Sequence, residues 1–334
     1  MKILTDFGFY ANIIPEYKGI FGDIETMLQG MEHMLSGMDI PGEPLWHSLK
    51  RVVLSGGKWL RPILAYVCYR CGNRSAYPVL PLMCMLELMH TASIIHDDVV
   101  DCSAVRRGAA TINAESGPVN AVRAGDYLLA EAMRHLHIYR GTGINEALAH
   151  ASYGMCLGEL NQLKARYDLT LQTREQYLIQ IYRKTAGLIA ASCFAGGIAG
   201  GLPEHDARTL SVYGEKLGMA FQICDDLLDF SGKQNFGKES GQDMKNGIFT
   251  LPVLYMLEKG APDSVKELLV KRNKNADKIA YLIDAVNESA AIEYTKSVIR
   301  GVTDDAVEAL RDFPSCVEKS VLTELASGLA DRSR

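Results

Sequence analysis

Two short acidic clusters carry the strongest chemical signal in this sequence. The first closes the run Glu87-Leu88-Met89-His90-Thr91-Ala92-Ser93-Ile94-Ile95-His96-Asp97-Asp98-Val99-Val100-Asp101. The run is mostly apolar until three carboxylates arrive together, the pattern of a buried helix that ends in acid. At 3.6 residues per turn, Asp97 and Asp101 fall about 40° apart on one face, and His90 about 20° from Asp97 two turns back. The C-terminal end of a helix carries partial negative charge and favours a cation. Carboxylates with room for water are hard oxygen ligands that suit Mg2+.

The same spacing returns in Phe221-Gln222-Ile223-Cys224-Asp225-Asp226-Leu227-Leu228-Asp229, again after a long apolar helical stretch. One acidic triplet is ordinarily a solvated helix end. Two copies, each closing an apolar helix, are harder to explain that way. Six carboxylates brought near each other would repel strongly unless cations lay between them.

Basic residues answer the acids. Lys58 and Arg61 stand three apart after Gly56-Gly57, and Arg106-Arg107-Gly108 follows the first triplet. Adjacent arginine side chains diverge, so the two could serve different anions, and guanidinium forks match phosphate oxygens bidentately. Lys184 interrupts an apolar helix, where a lysine either snorkels to water or faces an anion. Metal ligands with scattered Arg and Lys suit a highly charged phosphate substrate.

The elements that must position these groups are helical. The chain has 334 residues, 48% of them hydrophobic and 22% charged, with net charge −5, an ordinary globular composition. Helical periodicity dominates and alternating strand patterns are nearly absent. Helices are expected at about 16–37, 44–55, 59–71, 79–102, 118–139, 144–166, 173–197, 206–231, 249–258, 263–272, 275–284, 287–300, 303–311 and 315–329 by that periodicity. The breaks carry Gly and Pro, with no long Ser/Pro-rich linker, so one all-α domain over residues 1–334 is expected. Residues 231–247 are Gly-rich and polar, a candidate lid beside the second acidic cluster. No apolar run reaches transmembrane length. The N-terminus lacks the pattern of a signal peptide. The mild acidity does not suggest nucleic-acid binding. The eight cysteines are mostly scattered through helical stretches, with a single C-x-x-C at Cys68 and Cys71, so mostly buried or half-buried, reduced thiols in a cytoplasmic protein are expected.

In chain order, the pieces Gly57-Lys58-x-Leu60-Arg61-Pro62, His90 to Asp101, Arg106-Arg107-Gly108, Gly158-Glu159-x-x-Gln162 and Lys184-Thr185-Ala186 are followed by three more. These are Phe221-Gln222-x-x-Asp225-Asp226-x-x-Asp229, Gly237-Lys238-x-x-Gly241-x-Asp243 and Gly247-x-x-Thr250-Leu251-Pro252. Together they resemble the trans-isoprenyl diphosphate synthases, or polyprenyl synthetases. The resemblance covers about residues 50 to 255 and implies a single α-helical bundle around a deep central cavity, with both Asp-rich motifs at its mouth. It implies a homodimer that condenses an allylic diphosphate with isopentenyl diphosphate and releases pyrophosphate.

Carried over residue by residue, the resemblance implies that Asp97, Asp101 and Asp225 ligate three Mg2+ ions that hold the allylic diphosphate. Asp98, Asp226 and Asp229 would act through water or as secondary ligands. Arg106, Lys184 and Lys238 would contact the same diphosphate. Lys58, Arg61, His90 and Arg107 would hold isopentenyl diphosphate, and Gln222 and Thr185 would border the reacting carbons. Trp59 departs from the family pattern, where many relatives carry a second basic residue. Ile248 stands where short-chain relatives often have Lys, which makes the chain look like the longer-chain synthases.

The growing product would run down beside the helix that ends at Asp97. Ser93 and Ala92 lie about 6 and 7.5 Å below that residue at 1.5 Å per residue. Farnesyl-type relatives place an aromatic in this region. Here both side chains are small, and Met89, Leu88 and Met85 come next. A product longer than the four isoprene units of geranylgeranyl diphosphate is expected. The alternatives are a geranylgeranyl or farnesyl synthase, a terpene cyclase, and a partner subunit of a heteromeric synthase; a small helper subunit stays open. Cyclases typically have Asn/Asp-Ser/Thr-Glu as their second motif, and non-catalytic subunits generally lack an acidic motif, whereas both triplets stand here.

Overall fold

The computed structural model describes residues 18–37, 45–54, 59–72, 76–230 and 240–332. Lys58 and Lys238 lie outside the described residues, as does the 231–239 part of the candidate lid. The described chain is a succession of helices, and the only strands among the described residues are a two-residue pair. It gathers into two compact units. One draws on Met1–Ser152, Leu188–Gly214 and Ala309–Leu325, the other on Tyr153–Gly187, Glu215–Glu308 and Ala326–Arg334.

The first unit is built on the helix Val79–Val100, which packs mainly against the helices Pro118–Arg134 and Leu60–Arg70. Pro78 enters it in an extended conformation, as a proline that cannot be helix interior does. Thirteen of its residues are buried, among them Leu82, Met83, Met85 and Leu88. A buried Leu or Met contributes about 1.5–3 kcal/mol. By composition this helix is apolar and long enough to cross a membrane, yet about two thirds of its most apolar window is buried inside the protein. That is the position of a core helix. The close packing of Pro118–Arg134 depends on Gly125, where a Cβ would stand 2.2 Å from Nε2 of His96. That histidine spends its ring nitrogen on Val122 O at 3.2 Å and lies 3.4 Å from Asp126.

The second unit has its own core, with Ile223, Phe249, Leu251, Leu282 and Ile299 at 2% exposure or less. Tyr255 and Tyr294 stack at 4.0 Å beside it.

Several elements depart from the expected pattern. The helix expected at 118–139 stops at Arg134, and Leu136–Tyr139 tightens into a 3-10 turn. The helices expected at 287–300 and 303–311 are one helix, Ala291–Ala309. Its buried stripe Thr295, Ile299, Thr303 and Ala306 continues at helical spacing through Gly301, so core packing outweighs a glycine penalty of about 1 kcal/mol. The stretch expected as one helix at 173–197 is Arg174–Ile181, a π turn at Tyr182–Ala186, and Gly187–Ala199. A hairpin also forms, pairing Val105–Arg106 with Ala109–Ala110. Its strands are too short to show alternation. Its central residues Arg107 (φ 51°) and Gly108 (φ 76°) are both left-handed, as a type I′ turn requires.

Candidate functional site

The first acidic cluster forms as its spacing predicts. Asp101 caps the helix Val79–Val100, and its N–H donates to Asp97 O at 2.8 Å, so both carboxylates share the last turn. Asp97 and Asp101 are half-buried and Asp98 is buried. Asp98 turns the other way: its Oδ1 accepts Arg106 Nε at 2.6 Å. Asp98 is buried and Arg106 half-buried, so removing Arg106 would strand a buried carboxylate.

Arg107 is the next residue, at the turn of the hairpin. It lies in the field of Glu87, and burial lowers its pKa. Glu87 itself is buried in mid-helix, with its pKa raised by burial and drawn back by Arg61 and Arg107. Arg61 is buried, and burial brings its pKa down to about 10 against the pull of Glu87. Its Nε has no hydrogen-bond partner among the described residues. His90 is held neutral, pushed well below the usual imidazole range first by burial and then by Arg61, Arg107 and Arg106. Two cations, a neutral imidazole and an unmet guanidinium N–H make a setting suited to a diphosphate. Trp59, at the departure from the family pattern, is buried and left-handed at the start of the helix Leu60–Arg70.

Along the same helix, Ser93 is half-buried, and its hydroxyl donates to His90 O at 2.8 Å. Met89 retains 6% exposure, whereas Ala92, Met85 and Leu88 have 1% or less. Ser93 is about 40° from Asp97 around the helix and Ala92 about 140°. The two small residues therefore differ in surroundings, with Ala92 packed into the core.

In the second unit, Asp225 is exposed, Asp226 buried and Asp229 half-buried. A relay fixes Asp226. Thr185 Oγ1 donates to Gln222 Oε1 at 2.6 Å, and Gln222 Nε2 donates to Asp226 Oδ1 at 2.8 Å. Tyr177 Oη donates to Asp226 Oδ2 at 2.7 Å. Burial lifts Asp226 to about 7, and these two hydrogen bonds oppose the rise. Both its oxygens face protein donors, so its geometry is that of a group that orients Gln222. Asp229 accepts the N–H groups of Gly241, Gln242 and Asp243 at 3.0, 3.2 and 3.2 Å. It thereby fixes the start of the short helix Gln242–Lys245.

Lys184 lies in the π turn and ion-pairs with Glu159. Such turns recur at functional sites. Gly158 allows the approach: a Cβ there would meet Lys184 Cγ at 2.9 Å and Arg183 Cβ at 3.1 Å. Gln180 Nε2 donates to Gly158 O at 2.7 Å, and this accounts for much of the Gly158-Glu159-x-x-Gln162 motif.

Among the described residues, no three His, Cys, Asp or Glu groups converge as a ready metal cage. Mg2+ does not need one, because it keeps waters and binds one or two carboxylates together with substrate phosphates. In the first unit, half-buried Asp97 and Asp101, within one turn of each other, fit that partial donor set.

Sequence reasoning gave no role to Glu87, Tyr177 or Glu159. Glu87 had a legible signal, a carboxylate one turn before His90 in an otherwise apolar run. Tyr177 had none, since its partner is 49 residues away.

Residues 43–286 match the family model described as polyprenyl synthetase. Over 294 residues the chain is 35% identical to heptaprenyl diphosphate synthase component 2 of Geobacillus stearothermophilus, covering 86% of this chain and 90% of that one. It is 31% identical to octaprenyl diphosphate synthase of Escherichia coli (strain K12), covering 85% and 88%. Among solved structures, a decaprenyl diphosphate synthase from Rhodobacter capsulatus superposes with TM-score 0.85 at 31% identity, over 95% of this chain and 98% of that one.

Proposed function

The chain belongs to the polyprenyl synthetase family, and from that premise we propose that it is an all-trans polyprenyl diphosphate synthase. It joins isopentenyl diphosphate head-to-tail to an allylic diphosphate, releases pyrophosphate, and makes a product longer than geranylgeranyl diphosphate. The observation that carries this reading is the near full-length likeness to heptaprenyl and octaprenyl diphosphate synthases.

Asp97, Asp101 and Asp225 are the proposed ligands for Mg2+, in a complement of three ions. Bound Mg2+ supplies charge neutralisation of the diphosphate as its C–O bond breaks. Arg106, Lys184 and Lys238 hold the allylic diphosphate, and Arg61, Arg107, His90 and Lys58 hold isopentenyl diphosphate. Neutral His90 donates one N–H without adding to the positive charge of Arg61 and Arg107. The amide of Gln222, locked between Thr185 and Asp226, presents a fixed dipole toward the carbons that carry developing positive charge. The departing pyrophosphate takes the final proton. Asp98, Asp226 and Asp229 act by holding Arg106, Gln222 and the returning chain.

The proposal includes a single catalytic domain over residues 1–334, matched by the family model across spans of both compact units. It also includes a homodimer in the cytoplasm whose product partitions into membrane. Relatives named as component 2 of a heptaprenyl synthase favour a second reading, a catalytic subunit that needs a partner chain.

Incubation with Mg2+, labelled isopentenyl diphosphate and a farnesyl primer, followed by mass analysis, separates these readings. The chain alone is expected to give products beyond four isoprene units. Condensation only on addition of a partner would favour the second reading, and cyclic hydrocarbon products would refute both.

Ser93→Phe places an aromatic on the face of Asp97 and is expected to shorten the product to farnesyl or geranylgeranyl diphosphate while turnover persists. Unchanged product length in an active Ser93→Phe enzyme would put the floor on another helix. Ala92→Phe overpacks the core instead, at a cost of about 1–3 kcal/mol.

A further inference from the structure

Four thiols gather in the first unit, and the chemistry proposed above uses none of them. Cys68 and Cys71 stand three residues apart, in and just after the helix Leu60–Arg70, with Cys71 as its C-cap residue. Cys193 is buried and in hydrogen-bond contact with Cys68. Cys316 immediately precedes the helix Val317–Arg332, and its thiol is in hydrogen-bond contact with that of Cys71. All eight cysteines are free; six are buried or half-buried, as expected of most of them, and Cys102 and Cys156 are exposed.

The Cys71 and Cys316 thiols are not equivalent. Cys71 directs its sulfur to Val67 O at 3.5 Å, an acceptor that only a protonated thiol satisfies. Cys316 Sγ accepts the N–H of Lys319 at 3.4 Å, from the first turn of the sixteen-residue helix that follows. A sulfur at the N-terminal end of a helix lies in positive potential, which favours its thiolate. Glu318 opposes this, but its carboxylate faces Arg70 Nε at 3.5 Å. The hydrogen bond from Cys71, with the Lys319 N–H adding to it, lowers Cys316 to about 7, and the same bond together with burial drives Cys71 far up. Both are half-buried, within reach of a small oxidant, whereas Cys68 and Cys193 are buried.

We propose that Cys71 and Cys316 are a reversible disulfide site, with Cys316 as the attacking thiolate and a hydroperoxide as oxidant. The Cys316 sulfur attacks a peroxide oxygen. The S–O bond forms as the O–O bond breaks, and the departing oxygen leaves with a proton as water or an alcohol. The Cys71 sulfur then attacks the sulfenic acid at Cys316. The S–S bond forms, the S–O bond breaks, and the hydroxyl leaves as water with the proton of Cys71. Two thiols lose two electrons and one peroxide gains them. The bond ties the end of one helix to the start of another across a long stretch of chain, so it restricts the unfolded state.

The reduced full-length protein is treated with hydrogen peroxide, its remaining thiols are capped, and it is digested without reductant for mass mapping. A cross-linked peptide pair containing Cys71 and Cys316 is expected, about 2 Da lighter than the two thiol peptides together. Dithiothreitol should reverse it, and the oxidised protein should melt at a higher temperature than the reduced one. Cys71→Ser should leave a sulfenic acid at Cys316 that dimedone traps, and Cys316→Ser should leave Cys71 unoxidised. Both thiols capped after peroxide, a link through other cysteines, or direct conversion of Cys316 to sulfinic acid in the native protein would overturn the proposal. So would a bound zinc that is lost when the thiols are capped. If either serine variant misfolds, the map of the native protein decides.

Discussion

Asp97→Ala is expected to lower kcat about 1,000-fold or more, the scale of removing a group that stabilises developing charge in a closed site. Fold and melting temperature should change little. The carboxylate is half-buried at the end of its helix, and the residues that hold that helix, such as Leu82, Met83 and Leu88, lie further back and are untouched. Raising Mg2+ should recover little activity, because the carboxylate pair with Asp101 is gone at any concentration. Steady-state kinetics over a range of Mg2+ and a thermal melt check this together. A well-folded Asp97→Ala enzyme with near-native turnover would remove the first acidic cluster from the mechanism.

Arg61→Ala should act differently, through binding of isopentenyl diphosphate. A charge-assisted hydrogen bond contributes about 1.5–3 kcal/mol, which corresponds to a rise in KM of roughly 10- to 100-fold. The KM for the allylic substrate should move much less. Loss of the cation also strands Glu87, whose pKa is already raised by burial and lowered mainly by Arg61. Without that cation the carboxyl's pKa rises further. Its protonated form then carries the fold, and stability falls as pH climbs through the new value. Adding Glu87→Gln should remove that pH dependence without restoring the KM. Paired melts at acidic and neutral pH, with kinetics on both substrates, test the two effects separately. A single variant with unchanged KM would place isopentenyl diphosphate elsewhere.

The acidic helix ends were legible because they rest on local rules. Asp97 and Asp101 share a turn by spacing alone, and the apolar run before them had to be buried. What stayed hidden depended on chain distant in sequence. The π turn around Lys184 accompanies an ion pair to Glu159 on another helix, and no periodicity announces it. The grip of Asp229 on three backbone amides exists only once residues 241–243 return to it. The hairpin at Arg106 has two residues per strand, below the length at which alternation can be seen. Gly301, at a position that looked like a break, stays helical because the buried stripe on either side of it is continuous.

With Arg107 in its proposed role at isopentenyl diphosphate, its left-handed backbone sets folding against binding at one position. Asparagine and glycine accept that conformation with less strain, by about 1 kcal/mol or more in the case of glycine. A search for heat-tolerant variants would therefore be drawn to replace Arg107, and would select chains that hold together better while gripping their substrate less. In that proposed role the arginine serves its contact at the expense of the turn it sits in.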